Sequence, residues 1–351
     1  MKRKIGILIV SFIFLLNLSS CGVRKPARYE AEFLQLFDTV TKIVGYAGSK
    51  AEFTGYAQMI HDNLKRYHEL YDIYNSYEGI NNIKTINDNA GIAPVKVEPE
   101  IIDLLRFAKG WYAKTDGKKN VALGAVLRIW HDYREAGIAD PEKAELPPMD
   151  QLKAAAKHVD IDKVIINEAE STVYLEDPEM SLDVGAFAKG YAVERVSRLA
   201  EKNGFHSGLI SVGGNIRAIG VKADSGQPWN VGIQNPFGDE KTIELPVLSL
   251  TDYSLVTSGI YQRYYTVNGK QYHHIIDPDT LFPTEYFAAV TIVCRDSGMA
   301  DALSAALFNM PFEKGLAYIE SLPDTDALWV FRDGTVRTSP HFLDHAKKQA
   351  E

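Results

Sequence analysis

The sequence predicts an α+β fold of mixed, largely antiparallel β-sheets with flanking helices. Three observations predict it. Tight turn pairs sit between β-rich runs, Asn268-Gly269 inside "YTVNGKQYHHII" and Asp333-Gly334 inside "LWVFRDGTVRT", and such pairs close antiparallel hairpins. "KVIINEAESTVYLE" reads as a third hairpin. Helical periodicity falls in a few separate stretches, without the regular strand–helix–strand alternation that marks a parallel sheet.

The N-terminus stands apart from these elements. "MKRK" is a basic lead, "IGILIVSFIFLLNL" an apolar run, and "LSSC" closes at Cys21. The run is short and wrongly flanked for a spanning helix, so residues 1–20 read as an export signal. A small pair before a cysteine resembles a bacterial lipoprotein signal. Cys21 is then the lipidated first residue, anchored by several acyl chains, palmitate among them, on the extracytoplasmic face of the cell membrane. A plain secretory signal is the alternative. Residues 21–32 read as a polar tether and 33–345 as one domain.

Removing Lys2, Arg3 and Lys4 with the signal takes the net charge from −8 to −11. No basic stripe is present, which argues against a nucleic-acid partner. Cys21 and Cys294 are the two cysteines, so a lipidated Cys21 leaves Cys294 without a disulfide partner. Cys294 ends the apolar run "AAVTIVC" and reads as a buried small hydrophobe.

Along the domain, "FLQLFDTVTKIVGYA" reads as strand. Phe53, Tyr56, Ile60, Leu64, Tyr67 and Tyr71 recur at helical spacing across 52–74, and further helices are expected near 99–114, after the turn at "DGKKN", and at about 186–202, 299–309 and 312–321. "LPPMD" breaks one helix before a short one begins.

Three stretches set polar groups among glycines. In "SLDVGAFAKGYAVERV", Asp183 and Lys189 flank a glycine turn that enters a helix, a place suited to an anion or simply a capped helix. "LISVGGNIRAIG" turns through Gly213-Gly214-Asn215, and is a hairpin that brings backbone near a ligand only if one is there. His273 and His274 are adjacent on a strand, so their side chains point to opposite faces and one of them faces a site. Asp301 opens "ADALSAALF" and reads as either a helix cap or a holder of charge.

Together and in this order, "FDTVTKI", "LDVGAFAKGYAVE", "SVGGN", "PWNVGIQNP", "TSGIYQRYY", "HHIIDPDT" and "ADALSAALF" resemble the FAD:protein FMN transferases, the ApbE-type flavin transferases, from about Phe33 to Met310. The resemblance implies an ApbE-like, T-fold-like architecture. It implies an enzyme that splits FAD at its pyrophosphate, esterifies FMN to a threonine or serine hydroxyl of a target protein, and releases AMP with Mg²⁺ as cofactor. The targets it implies are flavoproteins of membrane redox complexes or of extracytoplasmic electron transfer.

On the matching positions, Asp301 and the backbone carbonyl of Ala186 are the implied metal ligands, and Asp301 with His274 the implied catalytic pair. Phe37, Tyr74, Lys118, Lys119, Asn120, Asp183, Lys189 and Ile276 are the implied FAD contacts. Four positions depart from the pattern. Ala305 stands where the family has a threonine metal ligand, with a water or Ser304 as the replacement. Asn120 stands for an aspartate, Leu281 for a turn glycine and Ser211 for an asparagine. Two other outcomes stay open: hydrolysis of FAD to FMN and AMP, and an FAD-binding lipoprotein with weak or no activity, which Ala305 favours.

Overall fold

The computed structural model describes residues 25–34, 36–238, 241–261 and 263–348. The expected signal over 1–20 and the lipidation site Cys21 lie outside the described residues. Among the described residues no helix is long and apolar enough to cross a membrane.

The chain opens with the strand pair β1 (Ala27–Phe33) and β2 (Thr41–Ala47), then α1 (Lys50–Tyr71), α2 (Ile83–Asp88), β3 (Val95–Lys96), α3 (Pro99–Lys114), α4 (Gly124–Ala139) and α5 (Met149–Ala155). The hairpin β4 (Val164–Asn167) and β5 (Thr172–Leu175) leads to α6 (Gly185–Lys202). Strands follow: β6 (Gly208–Val212), β7 (Asn215–Ile219), β8 (Trp229–Gly232), β9 (Val247–Leu250), β10 (Ser254–Gly259), β11 (Tyr264–Val267), β12 (Lys270–His273) and β13 (Phe287–Cys294). Then come α7 (Ser297–Phe308), α8 (Phe312–Glu320), β14 (Asp326–Phe331) and β15 (Val336–Thr338).

Eight strands form one sheet in the order β1-β2-β6-β7-β10-β13-β14-β15, and every ladder in it is antiparallel. The fold is therefore α+β, as the hairpin signals predict. β13 is buried along its whole length, which explains why its sequence is apolar but for Thr291, whose hydroxyl meets that of Thr257: both of its faces are covered. Cys294 ends it, and burial pushes its thiol up to about 12, so it packs as a hydrophobe.

β1 corrects the expected tether. "ARYEAEF" alternates exposed and half-buried residues and pairs with β2 from Ala27 to Phe33, so residues 27–32 belong to the sheet. Tyr29 stacks on Phe53 of α1, with ring centres 5.5 Å apart, which supplies the burial that a tether lacks. The expected continuous strand is also broken, because Phe37 and Asp38 adopt left-handed backbone angles and turn the chain between β1 and β2.

Leu281, where the resemblance has glycine, keeps the glycine-like conformation with φ +62°. The left-handed backbone costs a leucine roughly 1–2 kcal/mol. Its side chain is buried in a cluster with Leu123, Val126, Trp130 and Ile276, and its carbonyl accepts from Trp130 Nε1 at 2.9 Å. Emptying a buried leucine site costs about 2–5 kcal/mol, so packing outweighs strain. Leu281→Gly is expected to lower stability by about 1–3 kcal/mol, read as a fall in the urea midpoint at unchanged slope.

Candidate active site

The site forms where α6 and α7 cross in front of the large sheet. α7 is capped by Asp296, whose side chain accepts from Met299 N at 2.9 Å, and Ser297 N donates to Glu194 of α6 at 2.8 Å. Asp301 is therefore not the helix cap, one of the two readings that the sequence left open. It lies one turn inside α7, is buried, and its Oδ2 accepts from Gly190 N at 2.8 Å. Gly190 allows this approach because it carries no side chain: a Cβ there would collide with Asp301 Cβ and with the Ser297 carbonyl.

The loop between α3 and α4 brings in Lys118, Lys119 and Asn120. Lys119 Nζ donates to the Ala186 carbonyl at 2.9 Å and lies 4.5 Å from the centre of the Phe187 ring. Burial lowers its pKa to about 8; the charge of Asp301 opposes that and the charge of Lys189 adds to it. Lys118 is bound instead to Asp277 at 2.6 Å and Asp279 at 2.7 Å, which ties this loop to the segment after β12. Asn120 is also engaged, donating to Val159 O at 2.8 Å and accepting from Ala122 N at 2.9 Å.

The two adjacent histidines differ in role, although both line the cavity and only His273 lies within β12. Ile275 N donates to His273 Nδ1 at 3.2 Å, so His273 Nε2 carries the proton that goes to Thr284 O at 2.9 Å. His273 is structural, and burial lowers its pKa to about 4. His274 Nδ1 sits 3.2 Å from the Arg263 carbonyl, which only accepts, so Nδ1 carries the proton and Nε2 keeps its lone pair. Burial first, and then the Arg263 charge, lower His274 to about 3.

These shifts have a consequence for stability. Unfolded His273 takes up a proton below about pH 6.5, whereas the folded residue stays neutral to about 4. The unfolded state binds more protons across that window, so acid destabilises the fold, by up to about 3 kcal/mol from this residue. Urea midpoints should therefore fall between about pH 7 and pH 4, and His273→Gln should flatten part of that slope.

Asp183 Oδ1 accepts from Gly185 N at 2.8 Å at the start of α6; burial raises its pKa, against the pull of that N–H and of Arg263. Asn309 Nδ2 holds the Ile276 carbonyl at 3.1 Å. Tyr74 lies against His131, with ring centres 5.1 Å apart, and burial raises its hydroxyl to about 12. Phe37, Tyr74, Lys118, Lys119, Asn120, Asp183, Ala186, Lys189, His274, Ile276, Asp301 and Ala305 all line one cavity of about 530 Å³. That volume is within the range of small-molecule sites.

The same cavity is lined by Arg263 and Arg134, which the sequence did not single out, and by Asn215, which it read only as part of a turn. Arg263 sets the tautomer of His274, and Arg134 lies beside His131. The buried Nδ2 of Asn215 has no hydrogen-bond partner among the described residues. Ser304 does not take the role offered for it. Its hydroxyl donates to Asp301 O at 3.1 Å and contacts Ser258 Oγ at 2.8 Å, away from the Asp301 carboxylate.

The expected Mg²⁺ set does not fit these residues. Ala305 brings no oxygen, and the Ala186 carbonyl already accepts from an ammonium. Mg²⁺ binds oxygen at about 2.1 Å, so an ion on that carbonyl would stand no more than about 5 Å from Lys119 Nζ. A double and a single positive charge at that separation repel by roughly 7 kcal/mol at an effective dielectric near 20, against which the Asp301 and Asp183 carboxylates are the opposing charges.

The comparisons agree with the fold. The ApbE family profile matches residues 37–329. A Treponema pallidum protein named FAD:protein FMN transferase is 32% identical over 98% of this chain and 95% of its own length. A Klebsiella pneumoniae protein of the same name is 31% identical over 82% of this chain and 86% of its own. The crystal structure of an ApbE protein from Thermotoga maritima superposes with a TM-score of 0.79 at 28% identity, over 92% of this chain and all of that one. A Vibrio cholerae flavin transferase, at 22% identity, shares the fold with a TM-score of 0.76 over 91% of this chain and 99% of its own. By this kinship the protein is an enzyme, a transferase. The chain belongs to the ApbE family.

Proposed function

We propose that the enzyme transfers FMN from FAD to a threonine or serine hydroxyl of target redox proteins and releases AMP. The names of its relatives support the substrate. The observation that carries the chemistry is His274, a neutral imidazole with its lone pair on Nε2, in a cavity that also holds Lys119, Lys189 and Arg263. The hydroxyl oxygen attacks the phosphorus on the FMN side, and its proton passes to His274 Nε2. The bond from that phosphorus to the AMP oxygen breaks, and AMP leaves with the bonding pair. The lysines and Arg263 balance charge on the phosphates, the main task in phosphoryl transfer. No metal is written into these steps, because of its expected donors Ala305 brings no oxygen and the Ala186 carbonyl accepts from Lys119.

The lipoprotein signal supports a location outside the cytoplasmic membrane, with the enzyme held through Cys21 and acting on flavoproteins of membrane redox complexes. The test uses the full chain in detergent with FAD and a threonine-containing target domain. A flavin-phosphate mass increase on the target with AMP release is the expected result. AMP without labelling would make the enzyme an FAD pyrophosphatase, and FAD binding without either product would make it a binding protein.

A further inference from the structure

Two side chains from distant parts of the chain close on one turn of α6. Ala186 and Gly190 are the carbonyl and N–H of one i, i+4 pair, and both are engaged from outside the helix. Lys119 Nζ takes the carbonyl at 2.9 Å, and Asp301 Oδ2 takes the N–H at 2.8 Å. Lys119 is only 3% exposed. A buried ammonium needs acceptors for its three N–H groups, yet the Ala186 carbonyl is its one hydrogen-bond acceptor among the described residues. Two N–H directions are left to a ligand in the cavity that Lys119 lines.

We propose that the Lys119 ammonium is the resident cation of the Asp301–Ala186 pocket, standing where a divalent ion would bind and donating to phosphate oxygens of the bound nucleotide. Only the identity of that anion rests on the proposed function. Ala305 is consistent with this arrangement, since a site that holds an ammonium does not need a third metal ligand. Lysine suits the task because its charge is a compact point with rotatable donors.

Two measurements on the full chain in detergent test the assignment. The first is Mn²⁺ binding, followed by the electron paramagnetic resonance of the free ion without flavin. The wild-type chain is expected to leave the free-ion signal unchanged at millimolar Mn²⁺. Lys119→Met is expected to gain a site, which Asp301→Asn added to it removes again. Lys119→Arg keeps a cation in place and is expected to bind none. The second is FAD affinity, followed by flavin fluorescence. The wild type is expected to bind equally with and without EDTA. Lys119→Met is expected to bind about tenfold more weakly in EDTA, the worth of one charge-assisted hydrogen bond, and to recover with Mn²⁺. A wild-type Mn²⁺ site that Asp301→Asn abolishes, or an unchanged FAD affinity in Lys119→Met, would overturn the proposal. A chain that binds no FAD at all would instead refute the functional reading, while the flavin-free Mn²⁺ titration still decides the identity of the cation.

Discussion

His274→Ala is expected to lower kcat by about 10²–10⁴-fold, the usual worth of a positioned general base, while FAD affinity moves by less than about tenfold. The expectation rests on how the ring is held. Both the backbone N–H and Nδ1–H of His274 point to the Arg263 carbonyl, at 3.1 and 3.2 Å, so the imidazole is fixed in one tautomer with Nε2 basic. Burial and the Arg263 charge keep it neutral down to about pH 3 in the free enzyme. The profile of kcat/KM should therefore carry no acidic limb from this residue between about pH 5 and pH 8, because that profile reports the free enzyme. A fall of less than tenfold in kcat would assign the proton transfer to another group. His273→Gln serves as the contrast, since its ring is spent on Thr284 and Ile275 and its loss should appear in stability before it appears in kcat.

Gly190→Ala should have the largest effect on the fold. In an exposed helix the change would gain roughly 1 kcal/mol of propensity. Here the added methyl meets Asp301 Cβ and the Ser297 carbonyl, and lies 3.0 Å from Asp301 Cγ, with no flexible side-chain end to give way. Overpacking of this kind costs about 1–3 kcal/mol and more where backbone must move, so the sign reverses. The variant should lose at least about 2 kcal/mol in denaturant unfolding. Gly110→Ala in α3 is the control: nothing lies within 4 Å of its added methyl, and up to about 1 kcal/mol of gain is expected. Because the displaced element carries Asp301, Gly190→Ala should also weaken FAD binding.

Local rules carried the reading of the sequence far, and they failed where the answer lay across the chain. The Asn268-Gly269 and Asp333-Gly334 pairs close the β11–β12 and β14–β15 hairpins as their chemistry dictates. α6 and α8 lie within a residue or so of their expected limits. Asp296 and Asp301 both satisfy the local rule for a helix start, and only the packing of α7 on α6 shows that the earlier one caps. Eight of the twelve implied site positions lie in the ordered motifs, Tyr74 and Lys118–Asn120 lie outside them, and all twelve line one cavity. What Lys119 does with Ala186, 67 positions along the chain, has no local signature. Neither has the orphaned amide of Asn215, nor the part Arg263 plays in fixing the His274 tautomer.

The early start of β1 also sets a length. Were Cys21 lipidated as proposed, only six residue steps would separate the bilayer surface from the first sheet residue, Ala27. Fully extended, they span about 20 Å at most. A body on so short a leash would not swing freely above the membrane. The sheet edge at β1, with Arg28, Glu30 and Glu32 along it, would travel close to the headgroups. An acceptor hydroxyl must then be presented at nearly the same height, which favours substrates that are themselves confined to that membrane.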